Sequence, residues 1–178
     1  MGYDIVVFDK RRRYHSVEEL NANFHKLDDR DESKDYNDYR NSTPELQNWF
    51  LAMKDRVRPL NGEFAPPESE IGHRAYHEAD YVFGRESIWV EFAYSDMDRL
   101  YDTVKDQARR NDVAFWDVSG TGAVFYPDGT VLQTPKQQLW DEYQRKFVEE
   151  NEKAFKRHNK MTLLLLIPWT IAMIVCLI

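Results

Sequence analysis

Residues 161–178 read MTLLLLIPWTIAMIVCLI, eighteen positions without a charge, and no other feature limits so strongly what this chain can become. At 1.5 Å per residue such a run reaches roughly 27 Å, close to the hydrocarbon thickness of a bilayer. Its ten Leu, Ile and Val residues each favour insertion by roughly 0.3 to 0.6 kcal/mol near the bilayer centre. Pro168 is tolerated in a membrane helix and predicts a kink there. A run that is apolar on every side has no polar face to present to water. Leu163, Leu164, Leu165, Leu166, Ile167, Trp169, Ile171, Ile174 and Val175 are therefore expected to be the lipid-facing anchor. Lys153, Lys156, Arg157 and Lys160 precede it, and no acid follows Glu152. By the positive-inside rule this predicts a single-pass protein, with membrane lipid as one partner and the N-terminal domain in the cytoplasm.

The rest of the chain is acidic. Setting those four cations aside leaves 20 basic residues against 31 acidic ones, a net charge of −11 over residues 1–152. A body so negative repels phosphate backbones, which argues against nucleic-acid binding, and it attracts and steers a basic protein partner. Aromatic residues make up 14% of the chain, which predicts a packed core rather than disorder. The single cysteine, Cys176, lies in the tail. No disulfide framework is expected, in keeping with a reducing compartment. The apolar run at the N-terminus is too short for a signal peptide and reads as a strand.

Three regions are expected: a soluble α/β domain over 1–133, an amphipathic linker helix with a basic flank over 134–160, and a transmembrane helix over 161–178. Within the first, Ile5-Val6-Val7-Phe8 is apolar on both faces, as a central strand requires. Ser16-Val-Glu-Glu19 is a capping box opening a helix with Val17, Leu20, Phe24 and Leu27 on one side. Thr43-Pro44 opens a second helix, striped by Leu46, Trp49, Phe50, Met53 and Val57. Residues 58–72 read as a long loop. Strands are predicted over 80–83 and 87–94, then a helix with Met97, Leu100, Tyr101, Val104 and Ala108 in register. Strands over 113–118 and 123–126 follow, with a short segment at 131–133. The order predicts an α+β fold of the ferredoxin-like, split βαβ kind, a mostly antiparallel sheet with helices on one face.

No spacing names a reaction, and no cofactor is expected. His73 and His77 lie four residues apart, a zinc-sharing distance on a helix, but no HExxH glutamate accompanies them. Asp29, Asp31, Ser33 and Asp35 alternate like a calcium loop, yet Lys34 and Arg40 occupy the glycine and glutamate positions. That loop instead predicts a contact surface for a basic partner: Asp28, Asp29, Asp31, Glu32 and Asp35 as steering charges, Tyr36 and Tyr39 as exposed anchors. Gly120-Thr-Gly122 lacks the third glycine of a dinucleotide fingerprint and reads as a turn. Glu91 and Asp117 are a possible carboxylate pair on strand faces.

Tyr3-Asp4-Ile5-x-Val7-Phe8, Leu46-Gln47-x-Trp49-Phe50 with Met53, Asn61-Gly62-x-x-Ala65-Pro66 and Phe115-Trp116-Asp117-Val118-Ser119-Gly120 together resemble a group of small bacterial α/β proteins. Some members of that group look like immunity proteins paired with secreted toxins. The resemblance implies no catalytic residues. With the charge and the tail, it leads to the expectation of a membrane-anchored, non-enzymatic protein-binding module on the cytoplasmic face, an immunity protein against a toxin. The alternatives are a metal-assisted hydrolase using His73 and His77, or a ligand-binding regulatory domain using the sheet face of Trp89 and Trp116.

Overall fold

A computed structural model describes the backbone of residues 2–27, 35–72 and 76–175, and the side chains of these apart from 24–27 and 157–175. The chain divides into two compact units, 1–137 and 138–178. Among the described residues the first unit contains strands β1 (Gly2–Asp9), β2 (Arg58–Pro59), β3 (Glu78–Phe83), β4 (Ser87–Ala93), β5 (Val113–Trp116), β6 (Val124–Phe125) and β7 (Val131–Leu132). Its helices are α1 (Val17–Leu27), α2 (Pro44–Met53) and α3 (Met97–Arg110). Helix α4 (Pro135–Val175) begins in the first unit and makes up the second.

The fold is α+β. One sheet runs in the order β2-β3-β4-β1-β5-β6-β7, antiparallel at every step except β2–β3. Strand β1 is central because Ile5-Val6-Val7-Phe8 can be buried on both sides. Its odd residues Tyr3, Ile5 and Val7 join one core with Leu46, Trp49, Phe50 and Met53 of α2 and Leu100, Val104 and Ala108 of α3. Its even residues Val6 and Phe8 join a second core with Leu20 of α1, Ala114, Trp116 and Val124. This corrects the expectation that the helices share one face: α2 and α3 do, and α1 packs on the other. A two-sided apolar strand leaves two faces to be covered, and Leu20 of α1 meets the second.

A local signal sets the start of α1. Ser16 Oγ accepts the Glu19 N–H at 3.1 Å, while the Glu19 carboxylate turns to the His15 N–H at 2.7 Å, one residue outside the expected box. Phe50 is the hub of the first core, 4.7 Å from the Phe83 ring and 5.1 Å from that of Tyr81, both edge-on. Such pairs add about 0.5–1.5 kcal/mol beyond burial.

The segment expected to be loop contains the edge strand β2. A two-residue strand carrying Pro59 leaves little signal, and such a strand blunts the sheet edge against further pairing. Asn61 extends the pairing with its side chain, accepting the Tyr81 N–H at 2.9 Å and donating to the Tyr81 carbonyl at 2.6 Å. Gly62 follows at φ +78°, where a Cβ would also stand 2.5 Å from the Asn37 carbonyl oxygen, so this Asn-Gly pair is a docking point rather than a hairpin turn.

In the second unit, Leu139, Trp140, Tyr143 and Phe147 form the expected stripe on α4 and are exposed. Glu142–Lys146, Glu149–Lys153 and Glu152–Lys156 pair along the helix at i, i+4. Among the described residues no helix is long and apolar enough to cross a membrane. The side chains expected to form the anchor lie outside the described residues.

Candidate functional site

Strand register brings together charges that are far apart in sequence. Asp4 of β1 stands opposite Glu91 of β4, and Glu91 opposite Asp80 of β3. The three form a carboxylate row across adjacent strands on the α1 side of the sheet, with Asp80 and Glu91 exposed and Asp4 half-buried. Beside Asp4, Trp89 donates its indole N–H at 3.1 Å. Ser119 Oγ accepts the Asp4 N–H at 2.9 Å and donates to its carboxylate at 3.3 Å. Like charges directly opposite each other destabilise a sheet, so the row lowers stability while making this surface electronegative. Period-2 alternation places Glu91 on a face; it cannot say that Asp80 and Asp4 flank it.

Behind this row, on the α2–α3 side, lies the residue around which the end of β5 is organised. Asp117 is 1% exposed. Its carboxylate accepts from the Tyr3 hydroxyl at 2.5 Å, the Tyr101 hydroxyl at 3.3 Å, the Gly120 N–H at 3.2 Å, and the Thr121 N–H and hydroxyl at 2.7 and 2.8 Å. A Cβ at position 120 would overlap the Tyr3 hydroxyl and this carboxylate, which is why glycine follows Ser119. Burial, then the bond to Asp117, pushes the Tyr3 hydroxyl well above its ordinary value. The Gly120-Thr-Gly122 segment is the expected turn, now with a cause. Glu91 and Asp117 are not a pair, because they lie on opposite faces of the sheet.

A basic run, Lys10-Arg11-Arg12-Arg13, leaves β1 and is neutralised residue by residue, with partners Asp112, Asp9, Glu86 and Asp128. Arg13, with help from the Thr130 N–H, holds the Asp128 carboxyl down at about 2. Hydrogen bonding from Arg11 holds the buried Asp9 below the usual carboxylate range. The stabilisation from Asp9 is therefore complete above the unfolded-state value of about 3.9 and drains away as pH falls through the lower folded-state value. Asp9→Asn is expected to cost about 1 kcal/mol at pH 7, the exposed Arg11 partner limiting the effect. Urea midpoints should drop more steeply between pH 5 and pH 3 for the unaltered chain than for D9N; parallel slopes would refute this assignment.

The expected contact loop is only partly in view. Asp28, Asp29, Asp31 and Glu32 lie outside the described residues. Asp35 is exposed and shapes a turn, its carboxylate accepting the Asn37 N–H at 2.9 Å. Tyr36 and Tyr39 are half-buried rather than exposed. Tyr39 packs 5.3 Å from the Phe50 ring and 5.9 Å from Phe64, because the chain turns back onto the first core there. His73 is outside the described residues. His77 runs directly into β3 instead of lying on a helix, and its Nδ1 stands 3.2 Å from the Asp96 carboxylate. No group of three or more metal-ligating side chains occurs among the described residues. Trp89 and Trp116 do share a face, each opposite Val6, with Trp116 buried and Trp89 half-buried.

No family model, no curated protein and no solved structure matches this chain.

Proposed function

We propose that this protein is a membrane-anchored, non-enzymatic binding module that holds a basic protein partner at the cytoplasmic face, as an immunity protein does with its toxin. The observation that carries the reading is the row Asp80–Glu91–Asp4, exposed at Asp80 and Glu91, an arrangement that costs sheet stability and offers charge complementarity in return. The acidic balance of residues 1–152, the uncharged tail and the resemblance to immunity-like bacterial proteins point the same way. The fold proposed to present this row is ferredoxin-like. In support, β3-β4-β1-β5 are successive antiparallel neighbours, and α2 and α3 occupy the crossovers of two interlocked βαβ units.

The test is survival of cells expressing a toxin-like gene from beside this one with and without this chain, and the absence of any such gene there counts against the reading. Protection is expected from the unaltered chain. The double variant Asp80→Asn, Glu91→Gln should lose it at least tenfold while unfolding at an equal or higher urea concentration, since removing cross-strand repulsion contributes about 0.2–1 kcal/mol. Equal killing with and without the unaltered chain ends the immunity reading. Full protection by the double variant ends the assignment of this face.

A further inference from the structure

Helix α4 is one continuous helix of 41 residues, and past its start its surface is divided lengthwise. At 3.6 residues per turn, Trp140, Tyr143 and Phe147 fall within about 60° of one another around the axis. Asn151, one turn beyond Phe147, falls on the same side. Leu139, Val148 and Phe155 border that face, and these six apolar side chains are 53–69% exposed. The rings run in a ladder, Trp140 6.0 Å from Tyr143 and Tyr143 6.4 Å from Phe147. Charge is kept to the flanks and back of the helix, where Glu142–Lys146, Glu149–Lys153 and Glu152–Lys156 pair internally.

We propose that this face is an interface with a second copy of the chain, the two α4 helices lying parallel and in register. A two-fold axis makes a face its own complement. Here rings meet rings, and Asn151 meets its counterpart amide to amide, a pairing that sets register and oligomeric state. More than half of about 150–250 Å² is free on each of four rings, so two copies together cover on the order of 1,000–1,200 Å², the size at which specific interfaces begin. An anionic bilayer surface suits the face less well, because residues 139–155 hold five acids and three bases, a net charge of −2. Every residue of the contact lies within 138–178, so it is separate from the acidic row. The parallel arrangement rests on the anchor of the proposed function, which sets two stripes at one height above one bilayer; the matching of the faces does not.

The test uses the full chain in lipid vesicles, with Cys176→Ser so that each variant carries one thiol. Under mild oxidation, Trp140→Cys and Phe147→Cys should each form disulfide-linked dimers at least tenfold faster than Glu149→Cys, on the back of the same helix. Sedimentation equilibrium in a mild detergent should find the unaltered chain as a dimer. The double variant Tyr143→Ser, Phe147→Ser should weaken association at least tenfold while the urea midpoint of the first unit stays unchanged. Four results overturn the proposal: a monomeric unaltered chain, equal cross-linking at position 149, a dimer that survives the double variant through its tails, or a lowered urea midpoint, the sign that the stripe packs on its own chain. A chain freely soluble without detergent would end the anchor alone, and the same cross-links formed in solution would still support the paired faces.

Discussion

Replacing Asp117 with alanine is expected to lower folding stability by about 3 kcal/mol, a large part of the 5–15 kcal/mol typical of a domain. Five donors converge on its carboxylate, three from the following turn and two from tyrosine hydroxyls. The Tyr3 hydroxyl is the most consequential, because Tyr3 is 2% exposed and water cannot easily replace the lost acceptor. A buried donor left unpaired costs about 1–3 kcal/mol. The turn donors lie nearer the surface and recover part of their loss through solvent. Asp117→Asn should recover little, since its amide must direct two N–H groups towards positions already occupied by donors. A double-mutant cycle with Tyr3→Phe isolates the buried bond: with Asp117 gone, losing the Tyr3 hydroxyl should cost nothing or be favourable, which gives a coupling of about 1–3 kcal/mol. Urea unfolding of the four chains measures this. A loss below about 1 kcal/mol in D117A would mean that the node is dispensable.

Ending the chain after Lys160 should move the protein from the membrane fraction to the soluble fraction almost completely. The ten Leu, Ile and Val residues of 161–178 together favour insertion by roughly 3–6 kcal/mol, before the smaller contributions of Met, Trp and Ala. That corresponds to a partition ratio of about a hundredfold or more. The unaltered chain should resist carbonate extraction and be released by detergent. The shortened chain should keep a cooperative unfolding transition, because residues 1–137 form a compact unit with both cores inside it. Protease added to spheroplasts should spare the N-terminal unit if it faces the cytoplasm. A full-length chain that is freely soluble without detergent, or an N-terminal unit cleaved from outside, would remove the anchor and its topology from the proposed function.

Most elements of this fold are legible in the sequence, and most of the site is not. The start of α1 follows from its Ser16 cap and that of α2 from proline in its first turn, while α3 starts without a side-chain cap and is legible from its 3.6-residue periodicity. Strands β1, β3, β4 and β5 follow from alternation or from continuous apolar runs. Strand β2 is the instructive exception. Arg58-Pro59 has no strand signal of its own and exists because β3 offers a parallel partner and Asn61 reaches Tyr81. The burial of Tyr39 is hidden for a similar reason, since a tyrosine in a polar stretch reads as exposed until the chain is seen to fold back onto Phe50 and Phe83.

Composition, charge order and periodicity were enough to determine an acidic α+β body, a basic flank and an uncharged tail, because each of these is a property of neighbours along the chain. Which face α1 covers, that Asp80, Glu91 and Asp4 stand in one row, and that Asp117 meets Tyr3 across 114 positions were settled by strand pairing alone. Register is a long-range choice, made by the collective burial of two cores; a slip of one residue reverses every side chain, and no local pattern records it.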